Sequence, residues 1–356
     1  MRNVTKLSVL YIILLTSCAT LATPKQVTII PSATATLSPT HVIPTLTELP
    51  SKPVLQLTYL SPSADTFGEI YALDVTCMTD ESLCFAPPHL LLKTPGRTPD
   101  TSDPNIPGSI ANYAWSPDGK RIALCAGGVD GSDDIFFANM TSPPLTWINL
   151  THNPIEECNP RWDKNGENVF YAGCSFDLYG GCQTFKSNIP RGEKQAWVKD
   201  TETGFYDLSL DGKKVVFTKT IAGHEHIYIS DLSGSNLQQV TIGDGDDKSP
   251  LFSPDGQSIV FVRWYKKQTK NDIERSDIVI KNLRTDVEKN ITEEIDKFAV
   301  YPSFSPDGNW IAFNVYKFGE KGNHIFVYSI VKSITIQVTS GDSNYMEALW
   351  RLSNQP

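Results

Sequence analysis

The chain has 356 residues, 40% of them hydrophobic, and 31 Lys and Arg against 40 Asp and Glu give a formal charge of −9. A nucleic-acid partner is excluded, because a phosphate-binding face needs clustered Lys and Arg; the nearest basic run, Lys266-Lys267-Gln268-Thr269-Lys270, reads as a solvated loop. The hydrophobic content is ample for a core, and the length fits one large domain or two ordinary ones.

The N-terminus reads as an export signal. Arg2 and Lys6 precede an apolar stretch over residues 7–15, too short to remain as a membrane span. The stretch ends Leu15-Thr16-Ser17-Cys18, which resembles the bacterial lipobox. That resemblance implies that residues 1–17 are removed and that Cys18 becomes a diacylated N-terminus, the lipid attachment residue. Two or three acyl chains hold a protein at a membrane where one would not. Residues 18–52 are rich in Thr, Pro, Ser and Ala with few charges, and Pro24, Pro31, Pro39, Pro44 and Pro50 punctuate them. Such a segment cannot bury enough surface to fold and reads as a semi-extended tether.

Residues 53–356 are strand and turn, with no sustained helical period in any window of a dozen residues. One phrase occurs three times intact: Ser116-Pro117-Asp118-Gly119, Ser253-Pro254-Asp255-Gly256 and Ser305-Pro306-Asp307-Gly308. Each copy follows an aromatic residue (Trp115, Phe252, Phe304) and precedes a β-type run such as Trp310-Ile311-Ala312-Phe313. Proline presets φ, aspartate tolerates the next position and glycine supplies φ > 0, so each copy is a hairpin turn between two strands. Two degenerate copies end at Gly166 and Gly212, and the five turn glycines are 47, 46, 44 and 52 residues apart. A third strand follows each turn, as in His226-Ile227-Tyr228-Ile229-Ser230, and then a fourth ending in threonine, as in Leu237-Gln238-Gln239-Val240-Thr241.

Four antiparallel strands per roughly 47 residues make one propeller blade. The order of turn, Ile-Ala-Phe-like strand, Asp-Ile-Tyr-like strand and terminal Leu-Thr resembles the TolB-type β-propeller repeat across essentially all of residues 54–356. No counterpart of the separate α/β domain of TolB itself is expected, and an anchor and tether are expected in its place. Five blades begin near residues 113, 160, 206, 250 and 302. Ala348-Leu349-Trp350-Arg351-Leu352-Ser353 looks like an innermost strand with no turn after it, while Leu55-Gln56-Leu57-Thr58-Tyr59-Leu60 begins a blade that lacks its first strand. The expectation is an all-β, six-bladed propeller of four-stranded antiparallel blades, closed by pairing of the N- and C-terminal segments.

Six cysteines besides Cys18 suggest disulfides in an exported domain. The blade arrangement narrows fifteen possible pairings to Cys77–Cys84, Cys125–Cys158 and Cys174–Cys182. No zinc spacing is present, and no metal or cofactor is expected. Asp244, Asp246 and Asp247 could offer oxygens to Ca²⁺, but their spacing is not that of an EF-hand loop.

The sequence has no Gly-x-Ser-x-Gly elbow, His-Glu-x-x-His or phosphate loop. TolB-like propellers also occur fused to serine peptidases, whose chemistry sits in a separate hydrolase domain that this chain is expected to lack. Propeller function resides on loops at one end of the channel. The candidate binding residues there are Glu156, Glu157, Tyr179, His224, Asp244, Asp247, Trp264, Tyr265, Asp296 and Tyr316. Acidic groups interleaved with aromatics suit a basic protein or peptide, or a glycan stacked on a ring. The expected protein is a monomeric, non-catalytic binding module, lipid-anchored on the extracytoplasmic side of a membrane, with an unidentified envelope protein or peptide as partner. The competing expectation is a carbohydrate-active enzyme or glycan-binding protein with a metal at the channel mouth. The turn phrase is expected to be purely structural, on the face opposite the binding loops.

Overall fold

The computed structural model describes residues 54–61, 68–78, 83–96, 102–174, 182–189, 194–198, 206–209, 211–265, 275–295, 298–316 and 321–353. The expected signal, Cys18 and the tether lie outside the described residues.

Turn chemistry sets the pattern. Ser253 Oγ donates to Asp255 Oδ1 (2.6 Å) and accepts from the Ser258 N–H (2.9 Å), while the Gly256 N–H donates to the Ser253 carbonyl (2.8 Å). The same set recurs at Ser116, Ser209 and Ser305. At the remaining turn one carboxylate takes the place of both side chains: Asp163 accepts from the Glu167 N–H (2.8 Å) and from Asn168 Nδ2 (2.5 Å). The serine therefore organises the turn as much as the Pro-Asp-Gly that follows it. A second device explains the terminal threonines. The N–H groups of Ile135, Ile227, Ile278 and Ile325 donate to Oγ1 of Thr151, Thr241, Thr292 and Thr339 at 3.0, 2.9, 2.9 and 2.8 Å. Each fourth strand thus ends by satisfying a donor of the third.

The described strands form five sheets of 5, 4, 4, 8 and 4 strands, and the eight-stranded one consists of two antiparallel meanders joined by a single parallel pair, Ser276 with Phe298. The first meander contains β1 (Val54–Leu60), β2 (Glu69–Met78) and β4 (His89–Lys93), with the short β3 (Leu83–Phe85) beside the end of β2. The next is β5 (Ile110–Trp115), β6 (Arg121–Gly127), β7 (Asp133–Asn139) and β8 (Trp147–Asn149). Then come β9 (Glu156–Trp162), β10 (Asn168–Cys174), β11 (Cys182–Asn188) and β12 (Lys194–Val198). The following meander is β13 (Tyr206–Leu208), β14 (Lys214–Ile221), β15 (His224–Asp231) and β16 (Gln238–Gln239). After it come β17 (Asp246–Phe252), β18 (Ser258–Tyr265), β19 (Arg275–Asn282) and β20 (Glu288–Asn290). The last in sequence is β21 (Phe298–Phe304), β22 (Trp310–Tyr316), β23 (Asn323–Ser329) and β24 (Ile334–Gln337).

β25 (Met346–Ser353) pairs antiparallel with β1, matching Leu57 to Trp350 and Gln56 to Arg351, and so completes the first meander from the other end of the chain. The expected closure of the two terminal segments is present. No described sheet closes on itself; the meanders are joined mainly by packing. Six apolar clusters lie between successive meanders. One of them joins last to first: Trp310, Ala312, Ile325 and Val327 pack with Leu57, Tyr59, Ala348 and Trp350. Cys77–Cys84 and Cys125–Cys158 are disulfides, the second tying β6 to β9 of the next meander. Cys174 is also disulfide-bonded and stands opposite Cys182 in the β10–β11 ladder; the Cys182 side chain lies outside those described.

The turn glycines are not equivalent. All have φ near +70°, but a Cβ at Gly119 would overlap the backbone carbonyl oxygen of Leu352 in β25, whereas one at Gly256 would meet nothing within 4 Å. Arg351 reinforces this contact: its Nε donates to the Gly119 carbonyl (2.8 Å) and its guanidinium lies 4.2 Å from the Trp115 ring centre. Burial pulls the Arg351 pKa down to about 10, opposed by Asp74. Gly256→Ala is expected to cost about 1–2 kcal/mol for the left-handed backbone alone, and Gly119→Ala clearly more. Urea denaturation of both variants checks this, and equal losses would contradict the contact with β25.

Candidate functional site

The first strand of every meander faces one shared cavity of about 610 Å³, lined from β5, β9, β13, β17, β21 and β25. Two layers of side chains line it. Counted back from the residue before each turn (Trp115, Trp162, Leu208, Phe252, Phe304) and from Trp350 of β25, Asn112, Asn159, Ser249, Tyr301 and Glu347 stand three residues earlier, and Ala114, Arg161, Asp207, Leu251, Ser303 and Leu349 one residue earlier. Both layers face the channel, although in four of the strands a break in the regular alternation separates them.

A backbone irregularity delivers the first layer. In four inner strands the register slips so that two residues oppose one: Asn159-Pro160 against Tyr171, Ser249-Pro250 against Phe261, Tyr301-Pro302 against Phe313, and Glu347-Ala348 against Tyr59. The leading residue of each pair is left-handed, with φ of 60°, 50°, 53° and 48°. A bulge re-aims a side chain and leaves an unpaired N–H, which is why proline is accepted as the next residue. Non-glycine residues in this region are uncommon and strained, and such strain gathers at functional sites.

Neighbouring strands are stitched around the channel. Asn112 Nδ2 donates to Asn159 Oδ1 (3.2 Å), and Asn112 Oδ1 accepts from the Asn159 N–H (3.1 Å). Arg161 Nε lies 3.9 Å from Asp207 Oδ1, and Asp207 Oδ2 accepts from the Phe252 N–H (2.9 Å). The carbonyls freed by the β25 bulge are taken by its two neighbours. Tyr113 Oη donates to the Glu347 carbonyl (3.0 Å) and Ser303 Oγ to that of Ala348 (2.6 Å).

The Glu347 carboxyl differs from the rest: among the described residues no side-chain donor pairs with it. Burial pushes its pKa up to about 8, opposed by Arg161. Burial also raises Asp207, again opposed by Arg161. Tyr301 is raised by burial and then by the charge of Glu347.

Among the described residues, none of those expected to bind lines this cavity. Glu156, Glu157, His224, Asp244, Asp247, Trp264, Tyr265 and Tyr316 sit near the starts of β9, β15 and β17 or the ends of β18 and β22, at the end of the meanders away from the turn phrase. Several are occupied with structure. Glu156 accepts from the Asp133 N–H (2.9 Å), and Glu157, fully buried, accepts from Asn153 (2.9 Å). Buried Asp247 holds Arg263 through two contacts of 2.7 and 3.1 Å. Trp264 packs on Phe298 of the next meander, and Tyr265 lies under Arg275. His224 and Asp244 are exposed, and His224 stacks on His226. Burial raises the Tyr316 phenol, and Tyr301 and Glu347 add to this. Tyr179 and Asp296 lie outside the described residues.

The turn phrase borders the site: Ser116, Pro117, Ser253, Pro254 and Pro306 line the cavity. The phrase forms the turns as expected, and it also borders the cavity. The signal that finds the channel residues is their fixed offset from that phrase. Among the described residues one grouping has metal-ligand proximity, Cys125, Asp133 and Cys158, but its two sulfurs are joined to each other.

These meanders, packed in sequence around a common channel, make a β-propeller. A protein-family model described as TolB beta propeller domain matches residues 92–268. The structure is similar to TolB from Acinetobacter baumannii, with TM-score 0.60 and 17% identity over 83% of this chain and 66% of that one. It is also similar to a putative TolB from Agrobacterium tumefaciens, with TM-score 0.57 and 15% identity over 85% of this chain and 99% of that one. Among curated proteins, the uncharacterized protein Atu1656 of Agrobacterium fabrum is 28% identical over 211 residues, 56% of this chain and 67% of that protein. Dipeptidyl-peptidase 5 of Porphyromonas gingivalis is 22% identical over 256 residues, 67% of this chain but 35% of the peptidase, so the chain spans about a third of that relative. The chain is a TolB-like β-propeller protein.

Glu347 ties this site to stability. Its carboxyl binds a proton in the native state between the ordinary glutamate value, about 4.5, and about 8. The native state thus holds more protons than the unfolded one in that window, and the contribution of this group is lost as pH rises. Glu347→Gln is expected to melt near the wild-type temperature at pH 5 and above it at pH 8.5, as read by circular dichroism. An unchanged difference across that range would contradict the assignment.

Proposed function

We propose that this chain is a membrane-anchored lipoprotein of the cell envelope whose six-bladed propeller, residues 53–356, binds a protein or peptide segment without catalysis. The observation that carries this reading is the shared channel. Its wall presents amide, hydroxyl, guanidinium and carboxyl groups on strained bulges held by a rigid scaffold, the form of a recognition site. The described channel-lining residues include no histidine or cysteine, and the sequence carries none of the hydrolase motifs sought. The activity of the peptidases matched over part of their length belongs to those proteins. No observation favours the carbohydrate-active alternative, since the one metal-like grouping among the described residues has its sulfurs in a disulfide.

Two experiments test this reading. A photo-crosslinking amino acid at position 301, 39% exposed at the channel wall, should yield a discrete polypeptide adduct in the native envelope that Arg161→Ala reduces several-fold. The same probe at exposed Val331 should give none; capture at 331 alone, or at neither position, would contradict a channel partner. Cys18→Ala should release the protein from the membrane fraction, and unchanged membrane association and processing would contradict lipid attachment.

A further inference from the structure

We propose that Glu347 is a recognition residue for a cationic side chain, a lysine ammonium or arginine guanidinium, that the bound segment inserts into the channel. This rests on the reading of the channel as a binding site and names the chemistry it selects.

The described ionisable groups of the cavity wall are Arg161, Arg351, Asp207, Glu347 and the phenols of Tyr113 and Tyr301. Both cations are engaged elsewhere: Arg351 donates to the Gly119 carbonyl and lies over the Trp115 ring, and Arg161 stands at ion-pair distance from Asp207, whose second oxygen is held by the Phe252 N–H. That leaves Glu347 as an acidic group without a described partner, on a strained bulge that turns it into the channel. Glutamate there is costly unless something is gained, because a carboxyl removed from water favours the neutral form. An inserted cation returns that cost by pairing with the carboxylate in a sheltered site. Tyr301, on the adjoining β21, offers an aromatic face beside it, which also favours a cation. An anionic guest would meet Asp207 and Glu347 as like charges.

Insertion must expel a proton. With Glu347 at about 8 in the empty channel, most copies are neutral at pH 7, and pairing with a cation requires the ionised form. Other groups face it from every strand packed against it. Arg161 on β9 and Asp207 on β13 stand at ion-pair distance from each other, and Arg351 on β25 itself is bonded to the Gly119 carbonyl. Tyr113 on β5, Tyr301 on β21 and Tyr316 on β22 are all raised by burial and remain neutral through this range. Affinity for a cation should therefore rise about twentyfold between pH 6.5 and 8.5, with about 0.9 proton released per guest at pH 7.

The test is calorimetric titration of the full-length protein with the capped tripeptide acetyl-Gly-Lys-Gly-amide, in two buffers of different ionisation enthalpy. Its arginine counterpart, its Nε-acetyl-lysine counterpart and free spermidine are run beside it. The expected result is binding of the lysine or arginine peptide with the stated pH rise and proton release, and at least tenfold weaker binding of the acetylated peptide. Glu347→Gln should flatten the pH profile and weaken binding at pH 8.5 at least tenfold, while Asp207→Asn should keep the rise. Glu347→Asp, which retains a carboxyl, should restore part of it and guards against a folding defect in the glutamine variant. Equal binding of the acetylated peptide, or the same pH profile in Glu347→Gln, would overturn the inference. So would a preference for spermidine over both peptides, since it would make the guest a free polyamine. If position 301 still captures a polypeptide in Glu347→Gln, the channel reading stands and only the cation assignment falls. Peptide binding as described with no capture at 301 would place the failure in the partner reading instead.

Discussion

The structure depends on the pairing of its last strand with its first. The other inner strands are each followed by a turn and a continuous meander, so their blades form from local sequence. β25 has no such partner next in the chain and must find β1 across almost the whole length of the protein. Without it, one meander would lack its inner strand and an unpaired edge would remain, a template for association with other chains. The apolar cluster between the last and first meanders would also lose Ala348 and Trp350. On the other flank of the same strand, the Leu352 carbonyl closes over the β5–β6 turn and leaves no space for a side chain at Gly119. Closing so long a loop costs entropy that only long-range contacts return.

The same strand builds the site. Its bulge places Glu347 in the channel, and the carbonyls freed there are satisfied from both sides by Tyr113 and Ser303. Those two bonds connect β25 to the inner strands on either flank, so closing the ring and aiming the carboxyl are one event. The other bulges follow the same logic with different chemistry at the inward position: an amide at Asn159, a hydroxyl at Ser249 and a phenol at Tyr301. A common backbone device thus supports a wall whose polarity differs from blade to blade. The disulfide between Cys125 and Cys158 acts elsewhere on the ring, fastening two meanders that hydrogen bonds such as those of Asn112 with Asn159 also join.

The fold was legible because its determinants are local and repeated. Serine, proline, aspartate and glycine in order define a turn wherever they occur, and the missing turn after Trp350 marks the shared blade. The channel was not legible as a motif, because Asn112, Asn159, Ser249, Tyr301 and Glu347 have no side-chain chemistry in common. Only their offset from the turn phrase relates them, together with a following proline in three of the bulges. Residues chosen for their charge at the opposite end proved partly committed to structure: Glu157 and Asp247 are buried and paired. Composition reveals that an acid lies near a loop, but not whether the folded chain leaves it available.

The central claim is that β25 and β1 form part of the global cooperative unit and do not fray as a terminal strand. Native-state hydrogen exchange measures this directly. Ladder amides of β1 and β25 should exchange only through global unfolding, at the same free energy as those of β6 and β10. Exchange at β1 and β25 on the order of a hundredfold faster, with β6 and β10 still protected, would contradict the account.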